Sequence, residues 1–208
     1  TRLALDEEYR AIKAKIRGSE HRDRVGLVSD WAVRLDDLSG ILMHERPDVV
    51  HFSGHGGASG ERDLSGSSRD LVVEGQERNA GELILVGDDE TPRPVPREAL
   101  AGLFRVLKDN VRIVVLNACY SEEQARAIVQ SIDCAVGMSA AIPDKAAIAF
   151  ATEFYQALGF GKSVQEAFDL GVYRLTAEGT AAGMARLHTR EGVKASEIVL
   201  VGAHSSRP

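Results

Sequence analysis

The sequence predicts an α/β domain: a doubly wound, mostly parallel sheet with helices on both faces and a small β-hairpin insertion. Three observations predict it. Short runs that are almost wholly apolar recur at residues 48–53, 111–117 and 134–139, the pattern of strands buried on both faces. Helical periodicity fills the intervals between them, so each passage from strand to strand is long enough for the crossover that parallel neighbours need. The 208 residues, 44% of them hydrophobic, can bury one sizeable core, and neither an internal repeat nor a linker composition divides them.

The elements follow in order. Residues 5–17 place Leu5, Tyr9, Ile12 and Ile16 at helical spacing, with Asp6, Glu7 and Glu8 in the first turn, where the helix dipole favours acids; Gly18 ends the helix. Residues 25–29 read as a short strand, and Asp36 offers an N-cap for a helix running to Pro47. The strand 48–53 comes next. Residues 56–68 change to glycine, serine and charge, the composition of a surface loop. Residues 71–74 and 82–86 read as the two strands of the hairpin, and 87–96 as a proline-rich acidic loop. A helix over 97–108 leads to the strand 111–117. Ser121 and Gln124 have capping-box spacing for a helix to about residue 131. A strand over 134–139 and a helix over 144–158 follow, and Ser163 with Glu166 forms a second capping box. Residues 197–201 read as a last strand.

Charge and composition exclude several functions. Asp and Glu outnumber Lys and Arg by 31 to 25, a formal net charge of −6, so the broad cationic face that neutralises nucleic-acid phosphates is not expected. No apolar run approaches the ~20 residues of a membrane-spanning helix, and the first residues lack signal-peptide features. Two cysteines, Cys119 and Cys134, are too few for a disulfide framework. A cytoplasmic protein is expected. No zinc-ligand spacing occurs beyond His51 and His55, which flank strand and glycine residues, and neither metal nor cofactor is expected.

Two segments carry the chemistry. Ser53-Gly54-His55-Gly56 follows one apolar strand, and Asn117-Ala118-Cys119 ends another. In open α/β sheets ligands bind outside the carboxyl ends of the strands, and both His55 and Cys119 fall there, two residues beyond Ser53 and Asn117. A cysteine after a strand is ordinarily a small core residue; the coincidence of both motifs at equivalent strand ends is what points to a thiol nucleophile and its base. The amides of Gly56 and Cys119 are placed to stabilise an oxyanion, and the helix behind Ser121 points its positive end toward the thiol. No acid stands out as an orienter of His55, so a dyad is expected. Cys134 reads as structural and His51 as a hydrogen-bonded core histidine. His21, His44, His188 and His204 lie in polar segments read as exposed.

The two motifs resemble those of the caspase-like (clan CD) cysteine peptidases, specifically the bacterial CHAT domains. The acidic opening at residues 3–9 and the closing run 196–201 are similar to CHAT sequences as well. The resemblance implies that His55 is general base and then acid, that Cys119 is the nucleophile, and that the reaction is peptide hydrolysis through a thioester. In metacaspase relatives an aspartate two residues before the cysteine helps hold a basic substrate side chain; here that substrate-binding position is Asn117, an uncharged amide, which weakens a claim for Arg or Lys specificity. Such folds usually open with a strand before the acidic helix, and that strand is not seen. The resemblance thus implies one peptidase domain over residues 1–208, excerpted from a longer multidomain protein. It also implies a protein substrate, a regulatory sensor or repeat module in cis or trans, and a role in bacterial antiviral defence or regulated cell death. The competing reading is a catalytically silent interaction module with the same fold.

Overall fold

The computed structural model describes residues 5–54, 82–87 and 91–202. His55 and Gly56, the loop 56–68, the expected strand 71–74, residues 88–90 of the acidic loop and His204 lie outside the described residues. The first helix, α1 (Leu5–Arg17), is followed by α2 (Leu35–Glu45) and the strand β1 (Val49–Ser53). Two short strands come next, β2 (Ile84–Val86) and β3 (Pro92–Pro94), then α3 (Arg97–Leu107) and β4 (Ile113–Asn117). The chain continues through α4 (Glu122–Ile128), β5 (Cys134–Met138), α5 (Asp144–Gly159), α6 (Val164–Ala177) and β6 (Ala185–Thr189).

The main sheet has the order β1-β4-β5-β6, with β1, β4 and β5 parallel and β6 antiparallel at the edge. All five residues of β4 are buried, and the two-residue side-chain period sends them alternately into two cores. Ile113 and Val115 pack with Phe150 and Phe154 of α5 and with Val164 and Leu175 of α6. Val114 and Leu116 pack on the other face with Leu42 of α2, Phe104 of α3 and Ile128 of α4. The mostly parallel sheet covered on both faces is therefore as the sequence predicts. Helix α1 docks on α5, with Ile12 and Ile16 against Ala151.

Two strand expectations need correction, and two strands lie where none was expected, β6 and, inside the expected loop 87–96, β3. Residues 25–29 form no strand: Val28 is 61% exposed and Leu27 lies at the surface, so the apolar run is a surface connection. Residues 197–201 also stay out of the sheet. Ile198 is buried there, but its carbonyl accepts from the Val164 amide at 2.9 Å, so this backbone fastens the start of α6. The edge strand actually used is β6, whose Arg186 and His188 alternate with Ala185 and Leu187. His188 is consequently half-buried, 3.5 Å from Glu122, and not in an exposed polar segment. In the small second sheet β2 pairs antiparallel with β3, Leu85 opposite Arg93; the prolines of β3 sit on an exposed edge, where the lost donors cost little.

The two expected capping boxes have opposite fates. Ser163 accepts from the Glu166 amide at 3.3 Å while the Glu166 carboxylate accepts from the Ser163 amide at 3.0 Å, so this box forms. Ser121 caps nothing. Its hydroxyl is fully buried, donating to the Leu116 carbonyl at 2.9 Å and accepting from the Met138 amide at 3.0 Å. The β4–β5 pairing runs only from Ile113 to Val115, so Ser121 satisfies backbone groups where the strands part. Gly137 makes this possible: a Cβ there would lie 2.8 Å from the Glu122 Cα and 2.9 Å from the Ser121 carbonyl, leaving no room for a side chain under the start of α4.

Ser121→Ala should cost about 1–3 kcal/mol in urea unfolding, since it strands a buried amide and a buried carbonyl. Ser163→Ala, loss of a cap, should cost about 1 kcal/mol. A Ser121→Ala protein as stable as the native one would contradict the bridging role.

Candidate functional site

The site is built on the α1/α5 face of the β1 and β4 carboxyl ends. The strand period places His51 and Ser53 of β1 on that face, and Asn117 of β4, the register partner of Ser53, beside them. Over these residues α1 lays Glu8. The sequence reads Glu8 as a first-turn acid facing the helix dipole; the structure buries it to 5% exposure, in line with Ile12 and Ile16 along the inner face of α1.

A buried carboxylate needs partners, and Glu8 has two hydrogen-bond donors and a facing imidazole. Its Oε2 accepts from the Ser53 hydroxyl. Its Oε1 accepts from Asn117 Nδ2 at 2.6 Å and lies 3.2 Å from His51 Nε2. That approach of Nε2 is within ion-pair distance but is not counted among the hydrogen bonds of Glu8. The other ring nitrogen, Nδ1, lies 3.0 Å from the Tyr155 hydroxyl of α5. Burial, and secondarily the charge of Glu8, push the Tyr155 phenol well above its usual range. The hydroxyl therefore keeps its proton at neutral pH, within hydrogen-bond distance of Nδ1. Burial works to raise the Glu8 pKa, but the facing His51 imidazole, with the bonds from Ser53 and Asn117, outweighs it and holds the carboxyl below its ordinary value.

Cys119 stands two residues beyond β4. It is half-buried, its Sγ 3.9 Å from the Ile142 carbonyl, and the next residue, Tyr120, takes a left-handed backbone conformation with φ of 60°, which for a bulky side chain marks a constrained turn. A cleft opens beside the thiol, lined by Glu8, Ser53, Asn117, Cys119, Ile142 and Asp144 among others. Asn117, 4% exposed, donates also to the Ala147 carbonyl at 3.2 Å, while its Oδ1 has no partner among the described residues.

The structure thus brings Asn117 and Cys119 to one cleft, with Ser53 of the strand that precedes His55 on its wall. His51 is the hydrogen-bonded core histidine the sequence indicates. Cys134 is fully buried, and burial, aided by Asp133, pushes its thiol up to about 12, which leaves it inert at neutral pH. Among the described residues no three His, Cys, Asp or Glu side chains group as metal ligands, and no helix is long and apolar enough to cross a membrane. Sequence reasoning missed Glu8. The signal was its spacing, four residues before Ile12 and eight before Ile16, which puts an acid on the buried stripe of α1.

Because the folded-state pKa of Glu8 is depressed, its contribution to stability is complete above the ordinary value of 4.5 and is lost as pH falls through the lower, folded value. Glu8→Gln should therefore lower stability by about 1–3 kcal/mol at neutral pH. Its deficit against the native protein should shrink in urea titrations on acidification below that value. A deficit that stays constant with pH would contradict an ionised, buried Glu8.

The chain was compared with known proteins. It is 29% identical over 169 residues to a Roc-COR-CHAT protease from an unknown prokaryotic organism, an alignment covering 78% of this chain and 14% of that protein. It is 24% identical over 169 residues to a probable protease of Gillisia limnaea, covering 78% of this chain and 26% of the relative. The chain thus spans about a quarter or less of the length of these relatives. The CHAT domain model matches residues 3–170, most of the chain, and the protein belongs to the CHAT domain family.

Proposed function

We propose that this chain is the catalytic domain of a cysteine endopeptidase, with Cys119 as nucleophile and His55 as its base. The observation that carries the reading is the register of β1 and β4. Ser53 and Asn117 are paired at the carboxyl end of two parallel strands, whose backbones run ~4.8 Å apart. The chain leaves both strands from one rim, with two residues to go to His55 on one side and Cys119 on the other. Both relatives carry protease names, in keeping with this chemistry.

The steps follow from the residues. His55 takes the thiol proton as Cys119 Sγ attacks the substrate carbonyl, and the charge that develops on oxygen is met by the amides of Gly56 and Cys119. His55 then gives its proton to the departing amine, which leaves a thioester. Water, deprotonated by the same imidazole, attacks the thioester and releases the acid with the thiol restored. With no acidic orienter assigned to His55, the pair works as a dyad. The half-buried position of Cys119 beside an open cleft suits a nucleophile, and full burial suits the inert Cys134. The substrate is a protein, and cleavage serves bacterial defence or regulated cell death under control of further modules. The greater length of the relatives leaves room for such modules.

Cleavage profiling on a proteome-derived peptide library tests the reading. The native protein should cut a restricted set of bonds, and Cys119→Ala and His55→Ala should each lower turnover by about a thousandfold or more. Equal cleavage by native and Cys119→Ala protein would sink it.

A further inference from the structure

Behind the rim lies a polar array that the dyad chemistry does not use. It starts on α5 at the Tyr155 hydroxyl, 3.0 Å from His51 Nδ1, and passes through the imidazole, whose Nε2 stands 3.2 Å from Glu8 Oε1. From Glu8 it divides to Ser53 and Asn117, the last residues of β1 and β4. A second tie reaches the same helix, because Asn117 Nδ2 also donates to the Ala147 carbonyl, about two turns before Tyr155. Neither His51 nor Tyr155 lines the cleft, so neither is placed to touch a peptide bound beside Cys119. Fold stability alone does not call for polar groups here. Around Tyr155 the inner side of α5 is apolar, with Phe150, Phe154 and Leu158. The Tyr155 ring packs edge-on against Phe154, centroids 5.3 Å apart, and lies 5.5 Å from the His51 ring, contacts that a phenylalanine would keep. Replacing a buried polar cluster by apolar groups of the same volume commonly leaves a fold as stable, or more so. What hydrogen bonds add to packing is direction, since each one selects a rotamer and resists rotation away from it.

Resting on the peptidase reading above, we infer that Tyr155 and His51 are positioning residues for Cys119 and His55. Tyr155 orients the imidazole, the imidazole orients the Glu8 carboxylate, and Glu8 holds the paired ends of β1 and β4 level. Two residues of chain then separate each strand end from its reacting group. A displacement of about 1 Å between reacting atoms is worth about a hundredfold in rate, so a small turn at Ser53 or Asn117 reaches the bond-forming step. The array acts on the rate of that step; affinity for the peptide belongs to the walls of the cleft.

A peptidyl acyloxymethyl ketone separates binding from bond formation. The thiolate displaces the carboxylate leaving group and forms a thioether, so labelling rates at rising probe concentration give KI and kinact, and peptide mapping assigns the label to Cys119 or Cys134. Tyr155→Phe removes one hydroxyl and should lower kinact at Cys119 about tenfold, the size of one lost hydrogen bond, with KI held within about twofold. His51→Phe severs both links and should lower kinact about a hundredfold. His51→Gln keeps an amide donor for Glu8 and should recover most of that loss. Each variant is checked for folding by its unfolding transition. Ser163→Ala, which loses a helix cap away from the cleft, should keep the native kinact and KI, so that lost stability alone does not mimic the effect. If Tyr155→Phe keeps the native kinact, or if the variants raise KI alone, the inference fails while the peptidase reading stands. Should Tyr155→Phe fail to fold, the two His51 variants decide: equal kinact in His51→Gln and His51→Phe overturns the inference. If native Cys119 is labelled no faster than Cys134, the peptidase reading fails and takes the inference with it.

Discussion

One carboxylate holds the working end of this domain together. Glu8 reaches from α1 to Ser53 on β1 and Asn117 on β4, two residues that are register partners, and sits against His51 from the next inward position of β1. A charge at 5% exposure survives only because these groups surround it. The arrangement ties three elements of distant sequence to one point. It also fixes the ends of the strands beyond which the two candidate catalytic residues lie, so a change at Glu8 reaches both of them through Ser53 and Asn117.

The rest of the fold supplies the rigid frame on which that carboxylate acts. The alternation along β4 divides its residues between two cores, so the strand cannot slip by one position without turning both faces inside out. Where β4 and β5 part, Ser121 bridges their backbone groups, and Gly137 lets α4 begin directly above. Beyond that point the constrained backbone at Tyr120 carries the chain from Cys119 toward α4. Packing, one serine and one glycine thus bring Cys119 to a cleft whose other wall is α5.

The layers and the parallel strands were legible because continuous apolar runs and amphipathic periodicity are both strong signals. The placement of individual polar groups was not. Ser121 and Ser163 present the same local pattern, yet only Ser163 caps a helix, because the backbone around Ser121 has unpaired strand groups that compete for its hydroxyl. The apolar runs at 25–29 and 197–201 look alike as well; the first lies at the surface and the second fastens α6. Strand β6 escaped notice because Arg186 and His188 interrupt it. Glu8 was the costliest omission, since an acid in a first turn has a ready explanation in the helix dipole and only tertiary packing reveals that it points inward. The level ends of β1 and β4, by contrast, were legible, because both apolar runs stop at matching positions, Ser53 and Asn117.

The most direct measurement is the rate at which Cys119 is labelled by a peptidyl acyloxymethyl ketone in the native protein and in His55→Ala, with Cys134 as the internal control. If one rim of the sheet joins the two residues, the native protein labels at Cys119 and the His55→Ala protein loses most of that rate. Equal labelling in both proteins would contradict a shared site.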